Sequence, residues 1–127
     1  MRTIDVAYTP PATFTFTEDG VPIPDGDLDV HGDGLHEIKF QRAAAQNWTF
    51  RNFSIGINVP AGKEIPVGEV DGAGESMQFQ VAADHVQLSD QVDEAPGTTK
   101  QFEYSFDIDV PGNPDPVHCD PKIYNKA

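Results

Sequence analysis

A chain of 127 residues with 21 Asp and Glu against 8 Lys and Arg carries a formal net charge of −13. That charge repels phosphate backbones and anionic lipid, so nucleic-acid and membrane partners are not expected, while cations and basic partners are favoured. The single cysteine, Cys119, excludes an intramolecular disulfide framework, and the length suits one domain over residues 1–127.

The chain opens MRTIDVAYTPPATF, with one arginine and no apolar stretch behind it, so no secretory signal and a cytoplasmic location are expected. No run approaches the roughly 18 apolar residues that cross a bilayer. Residues 3–8 and the TFTFT of 13–17 alternate with the period of a strand half buried on one face. DGDLDVHGDG, residues 25–34, puts Leu28 and Val30 on one parity and Asp25, Asp27, Asp29, His31 and Asp33 on the other. HEIKFQ at 36–41 resumes the alternation. The one helix-friendly patch, RAAAQ at 42–46, is too short to stand alone and reads as a loop.

Between residues 48 and 59 the apolar parity changes. Trp48 and Phe50 are even, whereas Phe53, Ile55, Ile57 and Val59 are odd. One regular strand cannot present both sets to one core, so the pattern predicts a β-bulge or bend at Arg51-Asn52, or a strand that crosses between sheets. MQFQV at 77–81, a weaker segment at 85–89 and FEYSFDIDV at 102–110 complete the series. Trp48 and Tyr104 fall on apolar faces and read as core. The two N-x-S/T sequences, starting at Asn47 and Asn52, read as ordinary strand residues.

Turn chemistry is dense: Asp-Gly at 19–20, 25–26, 33–34 and 71–72, Pro60-Ala61-Gly62, and Pro-Gly at 96–97 and 111–112. Short strands with turns between them and no long helical pattern predict an all-β fold. The expected architecture is an antiparallel β-sandwich, Ig-like in general layout, with a closed barrel as the alternative.

Four aspartates, a histidine and three glycines within residues 25–34 raise the question of calcium. An EF-hand needs oxygen ligands at loop positions 1, 3 and 5, glycine at 6 and glutamate at 12. Frames starting at Asp25, Asp27 and Asp29 end on His36, Ile38 and Phe40, so none closes. A looser Ca2+ site on Asp25, Asp27, Asp29 and Asp33 stands against a plainer reading, in which the carboxylates mark an edge strand that resists pairing with other molecules. The edge strand is the favoured of the two.

Histidines 31, 36, 85 and 118 with Cys119 invite a copper test, but nothing after Cys119 supplies the remaining ligands. His118 and Cys119 are adjacent and on extended chain point to opposite sides. Zinc lacks paired ligand spacing. As a nucleophile Cys119 needs a lowered pKa, whereas the neighbouring Asp120 raises it. No G-x-S-x-G elbow or phosphate-binding glycine loop occurs. No catalytic residue is nominated.

The ending NPDPVHCDPKIYN breaks the alternation with Pro114, Pro116 and Pro121, which force extended, ladder-poor backbone before Ile123. With its DPKIYN motif from Asp120 to Asn125 and its length, the chain resembles the DP-EP family of small bacterial proteins, whose members look like compact β-sandwiches of unknown function. That resemblance implies no catalytic residues. The expectation is therefore a soluble, acidic binding or interaction module that contacts an unknown protein or small ligand through its Asp-Gly loops, as a monomer or an edge-paired homodimer. The alternatives are a calcium-dependent sandwich and a small hydrolase with an unrecognised site.

Overall fold

The computed structural model describes residues 1–32, 34–55, 57–60, 62, 68–69, 76–92 and 96–126, and for 57–60, 68–69 and 76–79 the backbone alone. The strands are β1 (Arg2–Thr9), β2 (Thr13–Glu18), β3 (Val21–Pro22), β4 (Leu28–His31), β5 (Gly34–Arg42), β6 (Thr49–Ile55) and β7 (Ile57–Pro60). They continue with β8 (Gly68–Glu69), β9 (Ser76–Val81), β10 (His85–Val92), β11 (Thr99–Glu103), β12 (Ser105–Asp109), β13 (Val117–Cys119) and β14 (Lys122–Lys126). A 3-10 turn at Pro24–Gly26 joins β3 to β4. Among the described residues no helix is long and apolar enough to cross a membrane. Residues 42–46 form a turn, as their length requires, with Ala45 at φ 66°.

One layer is a seven-stranded sheet in the order β3-β2-β1-β5-β10-β9-β8. Facing it are a three-stranded sheet, β11-β14-β4, and a four-stranded one, β13-β12-β6-β7. These two are halves of a single layer. Glu103 stands opposite Lys122 and Phe106 opposite Cys119, so one hairpin register runs through both. The interruption falls where Tyr104 meets Pro121, whose missing N–H removes a ladder bond. A single bond survives there, from the Tyr104 N–H to the Pro121 carbonyl at 3.1 Å.

The result is an all-β sandwich, as the alternation requires, and no barrel closes. Most pairs are antiparallel. Among the described residues two are not: β1 runs parallel to β5, with Arg2 opposite Ile38, and β4 runs parallel to β14, with Leu28 opposite Ile123. The chain from β1 to β5 passes through β4 in the other layer, which is the crossover that parallel pairing demands. Arg2 ties these elements together, with two 2.8 Å bonds to the Glu18 carboxylate and one to the Asp29 carbonyl.

The expected bulge lies where the parity changes. Asn52 is opposite Asp107 and Phe50 is opposite Ile108, which leaves Arg51 as the extra residue on β6. Phe50, Phe53 and Ile55 are consequently all buried while Arg51 is exposed. The strand stays in one sheet and does not cross. Ile57 and Val59 lie on β7, described in backbone only, and the Asp71-Gly72 turn lies outside the described residues.

Between the layers the core mixes aliphatic side chains with a cluster of aromatic rings. Phe40 of β5 meets Phe53 and Tyr104 at 5.7 and 5.2 Å, and Phe14 of β2 meets Phe106 edge-on at 5.5 Å. Burying a ring of this size contributes roughly 2–3 kcal/mol each. Trp48 and Tyr104 are both core residues, and each solves its polar atom. The Trp48 indole N–H donates to Gln46 at 2.6 Å, and the Tyr104 hydroxyl donates to the Gly26 carbonyl at 2.7 Å.

Candidate functional site

Of the four aspartates proposed for calcium, three are described, and each has its own surroundings. Asp25 is exposed in the 3-10 turn at φ 58°. Asp27 accepts the Lys122 backbone N–H at 3.0 Å, and Asp29 lies 3.0 Å from the Lys126 ammonium. Asp33 lies outside the described residues. Among the described residues no three His, Cys, Asp or Glu side chains gather in a way that holds a metal. Leu28 and Val30 are buried and Asp29 and His31 exposed, on a strand that ends its sheet. That is the edge-strand arrangement.

On the outer face of the four-stranded sheet, three strands supply a polar ladder. Asn52 of β6 donates to Asp107 of β12 at 2.8 Å and accepts the Asp107 N–H at 3.0 Å. His118 of β13 completes it, with Nδ1 at 2.7 Å from the Asp107 carboxylate. Partial burial works to raise the Asp107 pKa, but these hydrogen bonds outweigh it and hold the carboxyl below its ordinary value. The imidazole is thus oriented and exposed. Cys119 turns the other way and packs against the core beside Phe106. Desolvation, with a smaller contribution from Asp120, pushes its thiol up to about 12. A thiol so placed is no nucleophile.

The concave surface lies at the seam where the β2 edge of one layer faces β13 of the other. β13 hydrogen-bonds β12 along one side and ends its sheet. β4 covers β14 from Ile123 onward and does not reach β13, so the outer side of β13 has no strand partner among the described residues. One hollow lies between the turn before β2 and the turn after β12, and another opens on the seam itself. The first, of about 390 Å³, is lined by Tyr8, Pro10, Pro11, Val110 and the Pro111-Gly112 turn. The other, of about 320 Å³, is lined by Phe14, Phe16, Cys119 and Pro121, with Asp25, Asp120 and His118 at its rim. Their linings include the consecutive residues Pro11, of the first, and Ala12, of the second. Tyr8 anchors that segment by donating its hydroxyl to the Pro11 carbonyl at 2.9 Å, and its ring lies 5.3 Å from Phe14.

A smaller polar hollow of about 180 Å³ at the 42–46 turn holds Arg42 and His85. It also holds Lys39 and Asp84, whose carboxylate lies 2.8 Å from His85, while Arg42 donates to the Trp48 carbonyl at 2.7 Å.

No protein-family model matches the chain, and no curated protein does. Among solved structures it is similar to the NMR structure of a protein from Bacteroides thetaiotaomicron, at 12% identity over 83% of this chain and 79% of that one, with a TM-score of 0.41. At that TM-score the likeness carries no argument.

Two features escaped the reading of the sequence. The seam depends on where β4 begins in the opposite layer, which no local pattern encodes. Asp90 and Asn125, both wholly buried, did leave a signal. Asp90 shares the parity of apolar Val86, Leu88 and Val92, and Asn125 that of Ile123, so each is a polar residue on an apolar face.

Proposed function

We propose that the protein is an interaction module, on a sandwich of general Ig-like layout, which takes an extended, basic and apolar segment of a partner protein along the β2–β13 seam. The observation that supports this reading is the hollow beside a strand with a free side, with a second hollow at the turns that lead into β2 and β13. An extended segment added to such an edge gains backbone hydrogen bonds, and alternate side chains drop into hollows for specificity. Prolines 10, 11, 111 and 121 and the half-buried Phe14 make the floor apolar. Asp25 and Asp120 at the rim, and a formal net charge of −13, favour lysine or arginine between the apolar residues. No catalytic step enters the proposal.

Fluorescence anisotropy with a labelled short peptide alternating lysine and valine tests it. Binding is expected for this peptide and not for its glutamate–valine counterpart, with an affinity loss of about tenfold or more in Phe14→Ser. A control at the exposed Leu35, outside the seam, is expected to bind as the parent does. Equal loss in both variants, or equal binding of both peptides, rejects the seam as the site.

A further inference from the structure

Among the described residues two polar side chains are fully buried, and they face each other across the sandwich. Asp90 is on β10, whose other inward residues are Val86, Leu88 and Val92. Asn125 is on β14, behind Ile123. Asn125 Nδ2 donates to Asp90 Oδ1 at 3.0 Å, a bond that joins the seven-stranded layer to the opposite one. The remaining two oxygens, Asp90 Oδ2 and Asn125 Oδ1, have no partner. Both are acceptors when the carboxyl is ionised, so they cannot satisfy each other. Flipping the amide does not help, because it turns oxygen toward oxygen. One hydrogen on Asp90 Oδ2 makes that oxygen a donor, and Asn125 Oδ1 is an acceptor without one.

We propose that Asp90 and Asn125 form a proton-operated latch between the two layers, a reciprocal acid–amide pair when Asp90 is protonated and a single hydrogen bond to a buried charge when it is not. Buried polar groups are costly when half satisfied, which sets the direction of the latch.

The surroundings of the pair are as follows. On β5, His36 is the register partner of Asp90 and lies within 2.7 Å of the Gly32 carbonyl through Nε2, which therefore carries the hydrogen. On β9 the register partner is Met77, which does not titrate. Beside Asn125 stand Val30 of β4 and the half-buried Lys100 of β11. The adjacent Lys126 is spent on Asp29 at 3.0 Å. Burial raises the Asp90 pKa to about 6, against the opposing pulls of the Asn125 hydrogen bond and of His36. An unfolded aspartate titrates near 3.9. The folded value is the higher, so the stability due to the proton is complete below about pH 4 and is lost as pH rises through about 6.

Asp90→Asn tests this directly, since an amide at position 90 makes both bonds without a proton. Above pH 7 the variant is expected to have a higher denaturant midpoint than the parent, with the gap closing through pH 6 and gone near pH 4. A gap that does not change with pH, or a variant less stable throughout, overturns the latch. On the parent protein, carbon-13 NMR of the Asp90 carboxyl is expected to titrate with a midpoint near 6. A carboxyl already ionised at pH 5 overturns the proposal whether or not the variant folds.

Discussion

Gly26 sits at φ 72° with its carbonyl accepting the Tyr104 hydroxyl and its Cα against the Phe16 ring. A Cβ there would stand 2.6 Å from Phe16 Cε2, and Phe16 is held in the core edge-on to Phe106. Gly26→Ala is therefore expected to cost about 2–4 kcal/mol in chemical denaturation, from overpacking added to left-handed backbone. Gly20, at φ 79° with nothing within 4 Å of its would-be Cβ, separates the two contributions. Its alanine variant is expected to lose about 1 kcal/mol. Equal losses at the two sites would show that contact with Phe16 is not what fixes Gly26. Cys119 offers a second test at this scale. With its thiol pushed up to about 12 from an ordinary 9.0, the thiolate fraction at neutral pH falls about a thousandfold. Disulfide-exchange labelling is expected to be slower than in the urea-unfolded chain, by less than that factor because a more basic thiolate is the stronger nucleophile. Labelling at the unfolded rate would contradict the packing given for β13.

At the scale of elements, the parity of apolar residues was a strong guide and an incomplete one. It placed the irregularity of β6 at Arg51-Asn52, because one regular strand cannot turn both Phe50 and Phe53 to one core, but it left a crossing between sheets open until the register put the extra residue at Arg51. It could not distinguish β1 beside β5 from an antiparallel pair, since both orientations place the same side chains inward. Pro121 announced a break in a ladder, but the single register preserved across that break became visible only with both strands in place. Asp90 was legible in principle as a charge on an apolar parity. It was passed over because the strand at 85–89 was expected to end before it, whereas β10 runs to Val92. The acidic stretch at 25–34 supports a further prediction. With Asp27 on the Lys122 N–H and Asp29 on Lys126, melting temperature in millimolar calcium is expected to match that in EDTA once ionic strength is equal. A calcium-specific rise that persists at about 1 M salt and vanishes in Asp27→Asn/Asp29→Asn would contradict the edge-strand account, since screening removes only the nonspecific part.

At the scale of the whole molecule, most described apolar side chains gather in one core, and among the described Asp and Glu only Asp90 is buried. The seam is where the two regimes meet, because β4 stops short of β13 and leaves Phe14 half covered between acidic rims. Its apolar floor separates seam binding from the general attraction that an anionic surface exerts on any cation, which salt screens within a Debye length of about 8 Å. The measurement that tests the account most directly is an NMR titration of the labelled protein with the lysine–valine peptide at about 0.15 M salt. Amide shifts are expected first at Tyr8, Phe14, Val110 and along Val117–Cys119, saturating together, and absent in Phe14→Ser. Shifts spread evenly over exposed acids such as Asp19, Asp29 and Glu37, and unchanged in that variant, would contradict it.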